Sequence, residues 1–166
     1  MKFTLIDKIT SCNCVDKISS VKNLSLGEEY LADHFPGYPV MPGVLMIEAM
    51  VQTAGWLVRI RTDFAFSMII LSETRNVKYG RFIVPGDQLE IDVVVKEFQK
   101  NKVKCKGTGK VNGQVAVSAQ FDLDCFNLAD RNPSLAANDV SLKEYAMSAL
   151  HDLGGANFIE EQNKLN

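Results

Sequence analysis

The sequence predicts an α+β fold in which an antiparallel sheet curls around one long, buried helix. Residues 44–61 form the long helical segment, which lacks proline and is apolar on every side between Val44 and Val58. Six shorter segments are typical of strands, and four of them follow the helix as an antiparallel meander. A helix that is apolar all round has to be covered, and we expect the strands to cover it.

The strand predictions rest on alternating apolar residues and on turn signals. The predicted strands are residues 3–10, 15–24, 67–74, 88–98, 102–111 and 114–123. Residues 11–13 suit a hairpin turn between the first two strands. Asn112-Gly113 predicts a second hairpin, because both residues tolerate the positive φ of a type I′ turn. A short helical turn at 28–32 leads into the loop before the long helix.

The chain divides into a domain at residues 1–126 and an extension at 127–166. The extension is polar and is broken by Pro133 before an extra C-terminal helix, predicted at about 141–153. Ser141, followed by Glu144, fits a capping box at the start of this helix. Its apolar stripe predicts packing against the domain, and the last ten residues are expected to fray.

Composition excludes several classes of function. With 166 residues, of which 46% are apolar, the chain can bury a proper core. A net charge of −2 without a basic cluster argues against nucleic-acid binding. The four cysteines form no C-x-x-C pair and the two histidines are far apart, so we expect reduced thiols and no metal.

We also expect no membrane span and a cytoplasmic location. Glu48 and Gln52 interrupt the long helix, and its apolar run is shorter than the ~20 residues that a bilayer needs. The N-terminal residues lack the apolar core of a signal peptide.

The strongest functional signal is His34, fourteen residues ahead of Glu48. Three prolines and two glycines make the intervening loop rigid, so it can hold an imidazole in one place. Gln52 lies one turn after Glu48 and could fix its carboxyl by hydrogen bonding. Free N–H groups at the helix start, beside Pro42 and Gly43, could bind an oxyanion. The structural alternatives are a core carboxylate paired with an arginine and a histidine that only packs.

A base, an acid and oxyanion donors within this short stretch suit one type of reaction. Together they can remove a proton alpha to a carbonyl and protonate a leaving group at the beta carbon. That reaction is the dehydration of a β-hydroxyacyl compound.

The stretch from His34 to Gln52, HFPGYPVMPGVLMIEAMVQ, closely resembles the active-site segment of the FabZ-type (3R)-hydroxyacyl-[acyl-carrier-protein] dehydratases. NVKY and VPGDQL, at 76–79 and 84–89, resemble a second block of that family. The similarity extends over about residues 3–123. It implies the hot-dog fold and a hydro-lyase that converts (3R)-3-hydroxyacyl-[acyl-carrier-protein] to the trans-2-enoyl form in fatty acid or related lipid or polyketide biosynthesis.

The resemblance also implies a role for each site residue. His34 would take the C2 proton and Glu48 would protonate the departing C3 hydroxyl. The Gly43 N–H would bind the thioester carbonyl, the Val40 carbonyl would orient the imidazole, and Gln52 would support Glu48. In that family the histidine and the acid come from different subunits of a dimer. Glutamate at position 48 favours the plain dehydratase, since the related dehydratase-isomerase has aspartate there.

The expected partners follow from the same resemblance. No cofactor is implied beyond the phosphopantetheine that carries the substrate on acyl carrier protein, and the expected assembly is a homodimer or a trimer of dimers. The expected tunnel residues are Phe35, Met41, Val44, Leu45 and Trp56. The candidates for contact with the carrier protein are Arg75, Lys78 and Arg81. Gly80 and Phe82 depart from the arginine and proline common in the family, which weakens the expected basic contact.

Two other functions remain open from the sequence. One is an acyl thioesterase on the same fold, in which a carboxylate activates water and no histidine is needed. The other is a non-catalytic acyl-binding partner subunit, against which the presence of both His34 and Glu48 argues. The sequence leaves open the chain-length preference, the pathway, dimer versus hexamer and the role of the extension.

Overall fold

The computed structural model describes residues 3–32, 34–35 and 37–158. The described strands are β1 (Lys8–Cys12), β2 (Lys17–Asn23), β3 (Met68–Tyr79), β4 (Gln88–Gln99), β5 (Lys102–Val111) and β6 (Gln114–Phe126). The helices are α1 (Gly43–Arg61) and α2 (Ala136–Asp152), and 3-10 turns occupy Glu29–Leu31, Leu128–Asp130 and Pro133–Leu135.

The strands form one antiparallel sheet in the order β1-β2-β4-β5-β6-β3. α1 packs against five of them, β2 to β6, and Met50, Ala54 and Leu57 on this helix are fully buried. The predicted α+β arrangement is confirmed, and it is the hot-dog architecture that the resemblance implies. By length and composition α1 could cross a bilayer, but 56% of its most apolar window is buried inside the fold.

The expectation that α1 is covered on nearly every side is wrong along one stripe. Val44 is 69% exposed, and Glu48, Gln52, Trp56 and Arg59 are only partly buried. These residues follow one another at helical spacing on a single face. The sheet covers the other faces, whereas this stripe borders two cavities. Apolar residues such as Val44 occur on both kinds of face, so periodicity alone could not distinguish them.

The N-terminal strand is shorter than predicted, because β1 begins at Lys8 and not at residue 3. Residues 3–5 are held by the amide of a side chain instead. Gln52 Nε2 donates to the Phe3 carbonyl (3.1 Å), and the Leu5 N–H donates to Gln52 Oε1 (2.9 Å). The turn after β1 falls at Asn13, whose Oδ1 accepts from the amides of Val15, Asp16 and Lys17.

β3 extends five residues beyond its predicted end. The register against β6 shifts between Arg75 and Lys78, and Asn76 takes a positive φ of 53°. Such a bulge lets the strand continue past residues that break the alternation. The hairpin at Asn112-Gly113 is confirmed, with φ of 51° and 76° joining β5 to β6.

α2 begins five residues earlier than predicted, and the capping box at Ser141 is wrong. Ser141 lies inside the helix, where its hydroxyl donates to the Ala137 carbonyl (3.2 Å). Pro133 opens a 3-10 turn whose N-cap is Asn132, and this turn runs directly into α2. The domain boundary after residue 126 stays a prediction, and most of the predicted frayed end lies outside the described residues.

The cysteines are free thiols packed in the fold. Burial is the main reason why the pKa of Cys105 rises to about 12 and that of Cys125 to about 11. Both therefore stay protonated at neutral pH, which fits a structural role.

α2 is anchored at both ends. Near its start the carboxylate of Asp139, only 6% exposed, accepts hydrogen bonds from the Ser67 hydroxyl and from the amides of Leu128 (2.8 Å) and Ala129 (2.9 Å). Just past its end, the Ile9 N–H of β1 donates to the Leu153 carbonyl (2.9 Å). The helix is thus fixed to both sides of the domain.

The Asp139 anchor predicts a dependence of stability on pH. Burial opposes ionisation, but the three hydrogen bonds outweigh it and hold the pKa of Asp139 below its ordinary value of 3.8. Its contribution is complete above that value and is lost as the pH falls through the lower, folded-state pKa. We expect Asp139→Ala to lower the melting temperature at neutral pH and to differ less from wild type below pH 3.8.

Thermal unfolding followed by circular dichroism over a pH series measures this difference. Asp152→Ala is the matched control, since that carboxylate lies on the same helix with its side chain 82% exposed. Equal melting temperatures of Asp139→Ala and wild type at neutral pH would contradict the anchoring role.

Candidate active site

The imidazole of His34 is held by the rigid loop that precedes α1. Its Nδ1 lies 3.2 Å from the Val40 carbonyl oxygen, and the Phe35 ring packs edge-on against it at 4.4 Å. The loop is tied to the domain where the Met41 N–H donates to the Ile83 carbonyl (2.9 Å). When Nδ1 donates to Val40, Nε2 of the neutral ring is the free acceptor. The arrangement leaves one nitrogen available as a base.

α1 begins beside this histidine, at Gly43. The helix makes its first internal bond from the Leu45 N–H to the Pro42 carbonyl (3.0 Å), so the amides of Gly43 and Val44 precede the intrahelical ladder. The ring of Tyr79 lies against Gly43, where a Cβ would sit 2.8 Å from a ring carbon. A larger residue at position 43 would force the Tyr79 ring to move.

The histidine pocket is a cavity of about 680 Å³ in front of His34 and the start of α1. Its lining is mostly apolar, and it extends to the end of β3 and the residues that follow. The lining residues are His34, Phe35, Met41, Gly43, Val44, Met46, Tyr79, Gly80, Arg81 and Phe82. An acyl thioester would find an apolar surface here next to a base and free amides.

Glu48 lies further along α1, where Gln52 fixes its carboxyl. Gln52 Nε2 donates to Glu48 Oε1 at 3.0 Å. The orientation of the Gln52 amide is set in turn by its bonds to the backbone of Phe3 and Leu5. The carboxyl is therefore held by a chain of hydrogen bonds that ends in the main chain.

Glu48 lines a second cavity of about 510 Å³, the glutamate pocket. Its walls come from α1, the N-terminal segment, the start of β3 and α2. The lining residues are Phe3, Thr4, Glu48, Val51, Gln52, Gly55, Trp56, Arg59, Ser67, Met68, Ile69, Leu142, Tyr145, Ala146, Ala149, Asp152 and Leu153. His34 and Glu48 thus line two different pockets of the chain.

The expected tunnel residues divide between these pockets. Phe35, Met41 and Val44 line the histidine pocket and Trp56 lines the glutamate pocket, whereas Leu45 lines neither. Met46 and the inner face of α2 were missed by sequence reasoning. No motif marks the residues of α2, because their position depends on how the extension folds back over the domain.

The three candidate carrier contacts lie on β3 or just after it. Lys78 is exposed. Arg75 forms ion pairs with Asp122 (2.6 Å) and Glu73 (2.8 Å). Arg81 forms an ion pair with Asp87 (3.2 Å) at the edge of the histidine pocket. Lys78 is the most accessible of the three.

A sequence model of the FabA-like domain matches residues 1–120. The chain belongs to the FabA-like family. A relative in this family, the 3-hydroxyacyl-[acyl-carrier-protein] dehydratase FabZ of Aromatoleum aromaticum, is 37% identical over 123 residues, covering 72% of this chain and 84% of the relative. The FabZ of Pelotomaculum thermopropionicum is 39% identical over 119 residues, covering 72% and 85%. The resemblance to the FabZ type is confirmed.

Solved structures similar to this FabA-like chain support the fold. The dehydratase heterocomplex ApeI:P from Xenorhabdus doucetiae matches with a TM-score of 0.67 at 16% identity, over 81% of this chain and 90% of that one. A hypothetical thioesterase with coenzyme A from Streptococcus pneumoniae matches with a TM-score of 0.56 at 10% identity, over 71% and 84%. At these identities the likeness shows the fold alone, and the chemistry has to be argued from the site.

Proposed function

We propose that the protein is a hydro-lyase that converts (3R)-3-hydroxyacyl chains on acyl carrier protein to trans-2-enoyl chains. The observation that carries the proposal is the pair of fixed groups, His34 held through Nδ1 by Val40 and Glu48 held by Gln52. Relatives that are 37% and 39% identical bear the name of this activity. Base, acid and oxyanion donors all come from the chain, so the chemistry requires no cofactor beyond the phosphopantetheine of the carrier.

The two groups meet when two chains pair through β3. This strand lies at the edge of the sheet and is 12 residues long, and most of its residues are exposed, including Ile70 and Leu71. An exposed edge of this length is a template for pairing with another strand. A homodimer joined by β3 is the assembly we infer.

Antiparallel pairing of two β3 strands about a two-fold axis joins the two kinds of pocket. With the two-fold axis at the middle of β3, this pairing brings Tyr79, at the end of the strand, near Met68 of the partner subunit, at the start of its β3. Tyr79 lines the histidine pocket and Met68 lines the glutamate pocket. The histidine pocket of one protomer then adjoins the glutamate pocket of the other, and each dimer contains two complete sites.

In such a site the reaction proceeds without external reactants. Nε2 of His34 removes the C2 proton, and the Gly43 N–H stabilises the negative charge that develops on the thioester oxygen. Glu48 of the partner subunit gives its proton to the C3 hydroxyl, which leaves as water. The proton on His34 then passes back to the carboxylate, so both groups return to their starting states.

We expect the carrier protein to dock at the opening of the histidine pocket. Lys78 is exposed nearby on β3, and Arg81 lines that pocket. A cation at this opening would attract the acidic surface of the carrier and position the phosphopantetheine arm. The cytoplasmic location stays a prediction.

The direct test is to incubate the purified full chain with 3-hydroxybutyryl and crotonyl thioesters of acyl carrier protein. We expect interconversion of the two without release of thiol. Free thiol without interconversion would reject the dehydratase in favour of a thioesterase. Absence of both activities in the homodimer would favour a non-catalytic acyl-binding subunit.

A further inference from the structure

The extension builds one wall of the glutamate pocket. The family match ends at residue 120, whereas α2 spans Ala136–Asp152 and contributes Leu142, Tyr145 and Ala149 to the pocket lining. Because Asp139 and Leu153 anchor both ends of the helix, this wall has a fixed position. The shape of the pocket is therefore a property of this chain and not of the family domain alone.

α1 forms the floor of the pocket and gives it a direction. Glu48, Gln52, Trp56 and Arg59 follow one another on one face of the helix and all line the cavity. Arg59 follows Glu48 by eleven positions, which corresponds to about 16 Å along the axis at the rise of an α-helix. The pocket thus leads from the carboxyl of Glu48 to the cation of Arg59. The distance between them suits an extended acyl chain.

Arg59 is a partly buried cation that has no acidic partner among the described residues. Its guanidinium lies 5.3 Å from the centre of the Trp56 ring and folds back over Gly55, where a Cβ would sit 3.0 Å from Nη1. Burial lowers the pKa of Arg59, and a guanidinium nevertheless stays charged at neutral pH. In the part of the chain that the structure describes, Arg59 forms no ion pair with an acidic side chain.

This arrangement determines which chemical group at the distal end of an acyl chain would bind well. A methyl end that reached Arg59 would remove water from the guanidinium and offer no hydrogen bond in return, which is unfavourable. A carboxylate end would accept two parallel hydrogen bonds from it, the strongest pairing that a guanidinium makes.

We infer that the glutamate pocket receives the distal end of the acyl chain and that Arg59 selects chains that end in a carboxylate. The inference rests on the proposed function, and it adds a specificity-determining residue and a class of substrate to it. Asp152 also lines the pocket, but its exposed carboxylate lies beside His151 (3.9 Å) and forms no ion pair with Arg59.

Binding can be measured independently of turnover, because Trp56 is the only tryptophan of the chain and lies beside Arg59. Pantetheine thioesters of one saturated chain, long enough to reach Arg59, are titrated against the full-length protein while Trp56 fluorescence is followed. Three probes are compared, whose acyl chains end in a carboxylate, in the methyl ester of that carboxylate or in a methyl group. We expect the carboxylate form to bind at least about tenfold more tightly than the other two.

Variants of the two arginines at the end of α1 decide whether Arg59 causes the preference for the carboxylate probe. Arg59→Met should bring the three affinities to similar values, and Arg59→Lys should retain part of the preference. Arg61→Met is the matched control, because Arg61 contacts the Val15 carbonyl (2.9 Å) and the Phe98 ring outside this pocket. It should keep the wild-type preference.

Equal affinity of the wild type for all three probes would overturn the assignment of Arg59. A uniform loss of affinity in Arg59→Met would overturn it too, since that result indicates a purely structural role. The proposed function fails separately, through absence of turnover of the short 3-hydroxybutyryl substrate. That chain is too short to reach Arg59.

Discussion

Replacing His34 with alanine is expected to lower turnover by at least ~10², the scale of a general base. The variant loses the nitrogen that takes the C2 proton while the loop keeps its backbone bond between Met41 and Ile83. The side chain is only partly buried, so the fold should be unchanged. Steady-state rates at saturating substrate, together with circular dichroism, measure both effects.

The control for this variant is the other histidine of the chain. His151 lies near the end of α2 with its side chain 84% exposed, and His151→Ala should retain wild-type turnover. A wild-type rate in His34→Ala would remove His34 from the mechanism.

Replacing Glu48 with glutamine is expected to lower turnover by a similar factor of at least ~10². The amide has the shape of the carboxyl and can still bond to Gln52, but it cannot give a proton to the departing hydroxyl. Since glutamine is uncharged and has the same size as glutamate, the melting temperature should change little. The rate is measured as for His34→Ala.

Glu144→Gln provides the matched control for this change, because Glu144 is exposed on α2 and lines neither pocket. It should behave as wild type. Unchanged turnover in Glu48→Gln would show that the carboxyl is not the acid, and the dehydration mechanism would then lack a proton donor.

The sequence was sufficient for the fold where local signals agreed with the tertiary structure. Alternating apolar residues predicted β4, β5 and β6 to within a few residues, and Asn112-Gly113 fixed the hairpin between the last two. The spacing of Glu48 and Gln52 predicted their hydrogen bond, since residues four apart share a helix face.

It was insufficient where a contact joins distant parts of the chain. Residues 3–5 looked like a strand, but Gln52 binds their backbone. The start of α2 depends on the 3-10 turn after Asn132, and its position depends on Asp139 bonding to Ser67. Gln52 and Ser67 are far in sequence from the segments that they hold, so neither propensity nor periodicity reports these contacts.

The separation of His34 and Glu48 into two pockets also had no local signal. His34 lies in the loop before α1 and Glu48 lies within the helix, and each lines its own cavity. In the proposed dimer, a second copy of the chain completes each site.

Mixing the two inactive variants tests this shared site most directly. His34→Ala and Glu48→Gln protomers are unfolded together in equal amounts, refolded, and assayed on the 3-hydroxybutyryl substrate. If each site combines His34 of one protomer with Glu48 of the other, half of the dimers are mixed and each contains one intact site, so about a quarter of wild-type activity returns. Activity that stays at the level of the separate variants would contradict a site shared between two chains.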